Sequence, residues 1–360
     1  MNAKEKVERW IRPSILASSA YKVPASAGLI KLDAMENPYP WPEEIKQAWL
    51  DELRSVDLNR YPDACPERLK GHLRQIMKLP PSMPILLGNG SDEIIQILAL
   101  AMAQKDRVFL APEPGFVMYR VIAETAGARF IGVPLREDFS LDRDAMLKAV
   151  QQHQPALVFL ACPNNPTGNL FDQDAIHAVT RAAPGLVIMD EAYYAFAGKS
   201  FADYLGQYDN LLVMRTLSKL GLAGLRLGLL AGPDCWLHEL EKVRLPYNIN
   251  SLTQKSVEFI CQHYQILEQQ VQQIRQDREK MLVSMSNLPK IHVWPSQANF
   301  ILFRVLGENA GFVFTGLKMR GILIKNLHGS HAMLQDCLRV TVGTEEENSR
   351  FMDALAEVAG

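Results

Sequence analysis

The sequence predicts an α/β protein: a mostly parallel, seven-stranded sheet flanked by helices, followed by a smaller α+β region. Three observations carry that expectation. Short apolar runs of strand length recur between residues 84 and 231 and alternate with segments of helical period. Polar motifs rich in Gly, Pro and Asn follow several of those strands, where ligands gather in parallel sheets. After Pro246 the alternation stops and a long helical pattern takes over, which marks a second unit.

In chain order, residues 1–35 carry Pro13, Pro24 and Gly28 between short apolar pieces and read as an irregular arm. Residues 31–40 form a proline-broken extended stretch. Residues 43–53 have helical spacing, Arg60-Tyr61-Pro62-Asp63 is a turn, and 67–77 is helical again. Strands follow at 85–87, 108–110, 130–135, 156–161, 186–189, 211–214 and 227–231, with helices at 94–103, 116–126, 142–152 and 173–183. Val257, Ile260, Tyr264, Leu267, Val271 and Ile274 then recur in steps of three and four, predicting one long amphipathic helix that ends before Pro289. Beyond it lie strands at 299–303 and 338–342 and helices near 311–320 and 345–358. The expected organisation is an arm (1–35), a large domain (36–252) and a small C-terminal domain (253–360) that opens with the linking helix.

Composition narrows the function classes. The 360 residues are 48% hydrophobic and 22% charged, enough for a sizeable core. The net charge of −2, from 38 basic and 40 acidic residues, points to neither nucleic acid nor an anionic membrane as partner. Cys65, Cys162, Cys235, Cys261 and Cys337 are odd in number and show no CxxC spacing, which favours a reduced, cytoplasmic compartment and no metal site. The first twelve residues lack the apolar core of a signal peptide, and no apolar run approaches membrane-spanning length.

The chemistry centres on Thr216-Leu217-Ser218-Lys219. It follows the buried run 211–214 and leads through a glycine-punctuated loop to Arg226. A lysine at the end of a buried strand is costly unless paired or used, and burial turns its amine into a nucleophile toward carbonyls. Ser218 and Arg226 add an anion site. An imine-forming amine beside an anion site is what pyridoxal 5′-phosphate requires; a surface lysine in a Gly-rich loop is the plainer reading of the stretch alone.

Other motifs carry the same ambiguity singly. Gly90-Ser91-Asp92-Glu93 stands between strand and helix, where unpaired N–H groups suit a phosphate, or where Ser91 or Asp92 serves as a plain N-cap. Pro163-Asn164-Asn165-Pro166-Thr167-Gly168 is a rigid turn whose Asn165 amide either reaches a ligand or satisfies the turn. Asp190, directly after the buried run 186–189, is a cap or faces a pyridinium nitrogen, with Tyr193 three residues on. Phe116 lies past a strand end, to stack on a planar ring or to fill core. Arg339, inside an apolar strand, requires an anionic partner, either a structural salt bridge or a ligand.

Taken in order, LDAMENPYP, RYPD, GNGSDE, CPNNPTG, DEAY, RTLSKLGLAGLRLG and LRVTVG resemble the motifs of the fold-type I pyridoxal-phosphate aminotransferases. More narrowly they resemble the histidinol-phosphate aminotransferase family, over nearly the whole chain from Lys31 to Gly343. The resemblance implies pyridoxal 5′-phosphate held as an imine on Lys219, which later moves the proton at the substrate carbon. It implies Asp190 on the pyridine nitrogen, Tyr193 and Asn165 on the phenolate oxygen, and Phe116 on the ring face. The phosphate would be held by Ser91, Asp92, Ser218 and Arg226, and by Tyr61 from a partner subunit, hence a homodimer with shared active sites. Arg339 would bind the carboxylate of glutamate and, in the other half-reaction, the substrate phosphate.

The implied reaction exchanges an amino group between L-histidinol phosphate and 2-oxoglutarate in histidine biosynthesis. Three features depart from the family pattern. Met35 replaces an asparagine, the loop after Lys219 is one residue shorter, and Lys325 stands for an arginine that helps bind substrate phosphate. Tyr21 stands nearest the arm tyrosine that reaches substrate phosphate in relatives. The rivals within the fold are an aromatic amino acid aminotransferase and a phosphothreonine decarboxylase. A regulator built on the fold would carry a basic DNA-binding domain, for which this arm is too short. A plain nucleotide-binding protein would need neither Lys219 nor Asp190.

Overall fold

The structure, a computed structural model, describes residues 1–20 and 24–359. Tyr21, expected at the substrate, lies outside the described residues. The large sheet comprises β1 (Ile85–Gly88), β2 (Val108–Glu113), β3 (Arg129–Pro134), β4 (Leu157–Ala161), β5 (Leu186–Asp190), β6 (Leu211–Thr216) and β7 (Gly228–Ala231). Its order is β1-β7-β6-β5-β4-β2-β3. Pairings among β6, β5, β4, β2 and β3 are parallel, and β7 alone runs antiparallel to both of its neighbours.

The central strands are apolar on both faces because both are covered. Along β5 and β6, Val187, Met189, Leu211 and Val213 enter one core cluster, while Leu186, Ile188, Leu212 and Met214 enter the other. This period of two assigns alternate side chains to opposite helical layers. The first cluster runs on into a second sheet of β8 (Ile291–Val293), β9 (Phe300–Val305), β10 (Lys325–Asn326) and β11 (Cys337–Thr341), in the order β10-β11-β9-β8 and antiparallel throughout.

Two expectations are corrected, and one pairing is added. The single linking helix is two, Ser251–Gln262 and Gln265–Ser286, broken at His263 and Tyr264. The apolar spacing runs through the break, but His263 leaves helical geometry (φ −114°, ψ 25°). The halves also face different neighbours. Ser256 and Glu258 bond Trp49 and Arg68 near the N-terminus, whereas Arg278 bonds the Ala298 carbonyl ahead of β9. The arm is not uniformly irregular either. Ala3–Trp10 is a helix begun by an Asn2–Glu5 capping box, with no buried residue. Lastly, Ile30–Lys31 pairs in parallel with Ile322–Leu323, which pins the end of the arm beside the second sheet. Among the described residues, no helix is long and apolar enough to cross a membrane.

Candidate active site

The C-terminal ends of β1, β2, β4, β5 and β6 converge on a cavity of about 380 Å³. Ser91, Asp92, Phe116, Asn165, Asp190, Tyr193, Ser218, Lys219 and Arg226 all line it, so nine of the sequence-derived candidates share one space. A larger cavity of about 970 Å³, behind the strand ends, holds none of them. Chemistry, not size, identifies the smaller one as the site.

Asp190 ends β5 and is buried. Its Oδ2 accepts from the Tyr119 hydroxyl at 2.5 Å, and its Oδ1 accepts from the Ala192 N–H at 3.0 Å. Burial pushes its carboxyl up to about 6 against the pull of those two bonds. Lys219 sits in the short 3₁₀ turn Ser218–Leu220 just after β6. Its Nζ donates to the Ala34 carbonyl at 3.2 Å and lies 6.0 Å from the Tyr193 ring centre. Desolvation, reinforced by the Arg339 charge, lowers its amine to about 8. An acid raised and an amine lowered in one cavity make a site poised for proton transfer near neutrality.

Opposite these groups lies an anion cradle. The helix Ser91–Met102 opens with Gly90 as N-cap, and no side chain caps it, so neither Ser91 nor Asp92 is the N-cap. Its first N–H groups and positive dipole end face the cavity. Ser218 Oγ accepts from Arg226 Nη1 at 3.4 Å. Gly90 has φ +86°, and a Cβ there would stand 2.5 Å from Arg226 Nη2. A Cβ on Gly228 would stand 2.8 Å from Ser91 N. Two missing side chains thus let backbone, hydroxyl and guanidinium converge on one point, and the cradle fits a phosphate.

Asn165 Nδ2 donates to the Tyr193 hydroxyl at 3.3 Å. Burial pushes the Tyr193 phenol up, with Arg339 pulling it down. Arg339, in β11, donates through Nη1 to Asn165 Oδ1 and through Nη2 to the Asp33 carbonyl at 3.1 Å. It therefore ties the second sheet to the cavity wall. Lys325 of β10 is the register partner of Arg339. Tyr61 is 82% exposed, stacks on Tyr247 at 4.6 Å and does not line the cavity.

Sequence reading missed several contributors. Ala34, Met35 and Glu36, noted in the sequence only as part of the LDAMENPYP motif and without a role, form a wall, delivered there by the pairing of Ile30–Lys31. Met35 adopts φ 54°, held by Thr341 Oγ1 on its N–H and Asn299 Nδ2 on its carbonyl. Tyr119 reaches Asp190 from outside the cavity, a contact across 71 residues of sequence with no local sign. Arg215 and Glu191, the sequence neighbours of Thr216 and Asp190, form a buried ion pair at 2.8 Å on the side of the larger cavity.

The profile of the family described as aminotransferase class I and II matches residues 27–355. The chain belongs to this family. Among curated aminotransferases, histidinol-phosphate aminotransferase 2 of Nitrosococcus oceani is 56% identical over 352 residues, covering 98% of each chain. The histidinol-phosphate aminotransferase of Chromobacterium violaceum is 49% identical over 352 residues, again covering 98% of each. The fold superposes on the Sinorhizobium meliloti histidinol-phosphate aminotransferase in complex with pyridoxal-5′-phosphate with a TM-score of 0.86, at 22% identity and 97% coverage of both chains. The seven-stranded, mostly parallel sheet and its covering helices are therefore the architecture of this aminotransferase fold.

Proposed function

We propose that this chain is a cytoplasmic, homodimeric, pyridoxal-phosphate-dependent aminotransferase. It moves an amino group between L-histidinol phosphate and 2-oxoglutarate, giving imidazole-acetol phosphate and L-glutamate in histidine biosynthesis. The observation that carries the reading is the meeting of Lys219, buried Asp190 and the Gly90–Arg226 anion cradle in one cavity. The identity of 56% with a histidinol-phosphate aminotransferase across 98% of the chain supports the substrate. Five free thiols agree with a reducing compartment.

Pyridoxal 5′-phosphate, when bound, supplies an aldehyde that accepts and returns the amino group and a ring that takes up the electron pair left by a departing proton. The residues around it divide the remaining work. The N–H groups of Ser91 and Asp92, the Ser218 hydroxyl and Arg226 hold its phosphate. Asp190 holds a proton at the ring nitrogen. Tyr193 and Asn165 orient the ring oxygen, and Phe116 covers one face.

Lys219 carries the catalytic amine. With its value lowered to about 8, a usable fraction is unprotonated near neutrality, ready to take and return a proton at the substrate Cα. Arg339 anchors the carboxylate of glutamate. Lys325, the register partner of Arg339 across the strands, serves the substrate phosphate together with it. Tyr61, exposed here, serves the cofactor phosphate of the partner subunit.

Reduction of the yellow holoenzyme with borohydride, followed by peptide mapping, tests the assignment. The cofactor should be fixed to the peptide holding Lys219. Fixation elsewhere refutes the assignment of the amine.

A further inference from the structure

We propose that Tyr119 is a positioning residue for Asp190: its phenol fixes the carboxylate and weakens its hold on a proton, so that the proton stays on the ring nitrogen of the bound cofactor. The proposal rests on the reading above, in which Asp190 faces that nitrogen.

Tyr119 lies on the helix Met118–Ala126, three residues past Phe116, and is 2% exposed. Its ring stacks on Phe159 of β4 at 4.4 Å with planes 4° apart, and Phe116 meets it edge-on at 5.4 Å. Two aromatic contacts leave the ring little freedom, so the hydroxyl is aimed. It is aimed at Asp190 Oδ2, 2.5 Å away. Tyr119 does not line the cavity, so it acts on the ligand only through the carboxylate. Burial and the neighbouring Asp190 charge push the phenol well above its ordinary value, which keeps it a donor.

A donor to a carboxylate favours the anion over the acid. Ala192 N–H occupies the other oxygen, so the carboxylate is held at both ends by donors and rotates about neither. Phe116, just ahead of the helix, and Tyr119, in its first turn, thus take separate tasks. The first covers the cavity, and the second sets the basicity of its floor. Without the phenol, Asp190 becomes the stronger base and draws the shared proton from the ring nitrogen toward itself.

The test uses holoenzyme reconstituted with pyridoxal 5′-phosphate labelled with ¹⁵N in the ring, and reads the nitrogen's chemical shift at pH 7.5. Wild type should show a protonated nitrogen, and Asp190→Asn an unprotonated one. Tyr119→Phe should move the shift part of the way in the same direction. Its kcat should fall about ten- to a hundredfold, the worth of one hydrogen bond to a charged group. KM for the amino donor should stay within about a factor of three, because no substrate contact is removed. Added to Asp190→Asn, Tyr119→Phe should leave the shift where the single variant put it.

A Tyr119→Phe holoenzyme that loses thermal stability but keeps the wild-type shift overturns the proposal. An Asp190→Asn holoenzyme with the wild-type shift instead overturns the placement of Asp190, and the proposal falls with it. If Tyr119→Phe does not fold, p-aminophenylalanine at position 119 keeps the shape with a weaker donor. It should produce a smaller displacement in the same direction, and an unchanged shift again overturns the proposal.

Discussion

Asp190→Asn should make the cofactor-free protein more stable at neutral pH while destroying turnover. Burial raises the Asp190 carboxyl from 3.8 to about 6. Well below pH 4 the group is protonated whether the chain is folded or not, and it contributes nothing to the pH dependence. Between 3.8 and 6 the folded protein keeps a proton that the unfolded chain releases, so stability falls as pH rises. Above 6 the full cost of the buried charge remains, about 3 kcal/mol for a shift of about two units. An asparagine never incurs that cost. Its amide oxygen can accept from the Ala192 N–H, and its NH₂ can donate to the Tyr119 oxygen, so packing is kept.

From about pH 4.5 to about pH 8 the stability difference between the two apo-proteins should therefore shift by about 2 kcal/mol in favour of the Asp190→Asn variant. That corresponds to about 3 °C in Tm for a chain of this size. Calorimetry of both proteins, stripped of cofactor, across that pH range measures it. A difference that does not change with pH, or that moves in favour of the wild type as pH rises, would show that burial does not penalise the carboxylate. In the holoenzyme the same substitution should cut turnover by several orders of magnitude, because the group that keeps the ring nitrogen charged is gone.

Further outcomes follow from the same geometry. Gly90→Ala places a Cβ against Arg226 at a positive φ, so its cofactor should dissociate about ten- to a hundredfold more readily, as read by equilibrium dialysis. Lys325→Ala should weaken histidinol phosphate about ten- to a hundredfold and glutamate little, whereas Arg339→Ala should weaken both; stopped-flow absorbance of each half-reaction separates them. Heterodimers of Lys219→Ala with Tyr61→Phe subunits should be more active than either parent, because both lesions fall in one site; no recovery in mixed dimers counts against a shared site.

The fold was legible where side chains obey a period. Alternate residues of β5 and β6 fall on opposite faces, and the motifs at the strand ends land in one cavity because a parallel sheet puts its strand ends on one side. What the sequence hid was contact between distant segments. The apolar stripe from Val257 to Ile274 continues across a helix break, since both halves bury the same kind of surface against different neighbours. Met35 reads as a residue in a proline-broken stretch. Only the pairing of Ile30–Lys31 with Ile322–Leu323 reveals it as cavity wall. Tyr119 looks like ordinary helix core, and nothing local shows that its hydroxyl meets Asp190. Lys325 and Arg339 are fourteen residues apart, and their adjacency needed the register of β10 with β11.

The substrate proposed for this chain depends on its taking an amino group from a phosphate-bearing donor. The decisive assay gives the purified holoenzyme 2-oxoglutarate with either L-histidinol phosphate or L-phenylalanine as sole amino donor, and follows glutamate formation. The expected kcat/KM for histidinol phosphate is at least about a hundredfold above that for phenylalanine, the worth of the contacts to one bound phosphate. Equal or higher efficiency with phenylalanine would contradict the phosphate pocket at Lys325 and Arg339 and make the chain an aromatic amino acid aminotransferase.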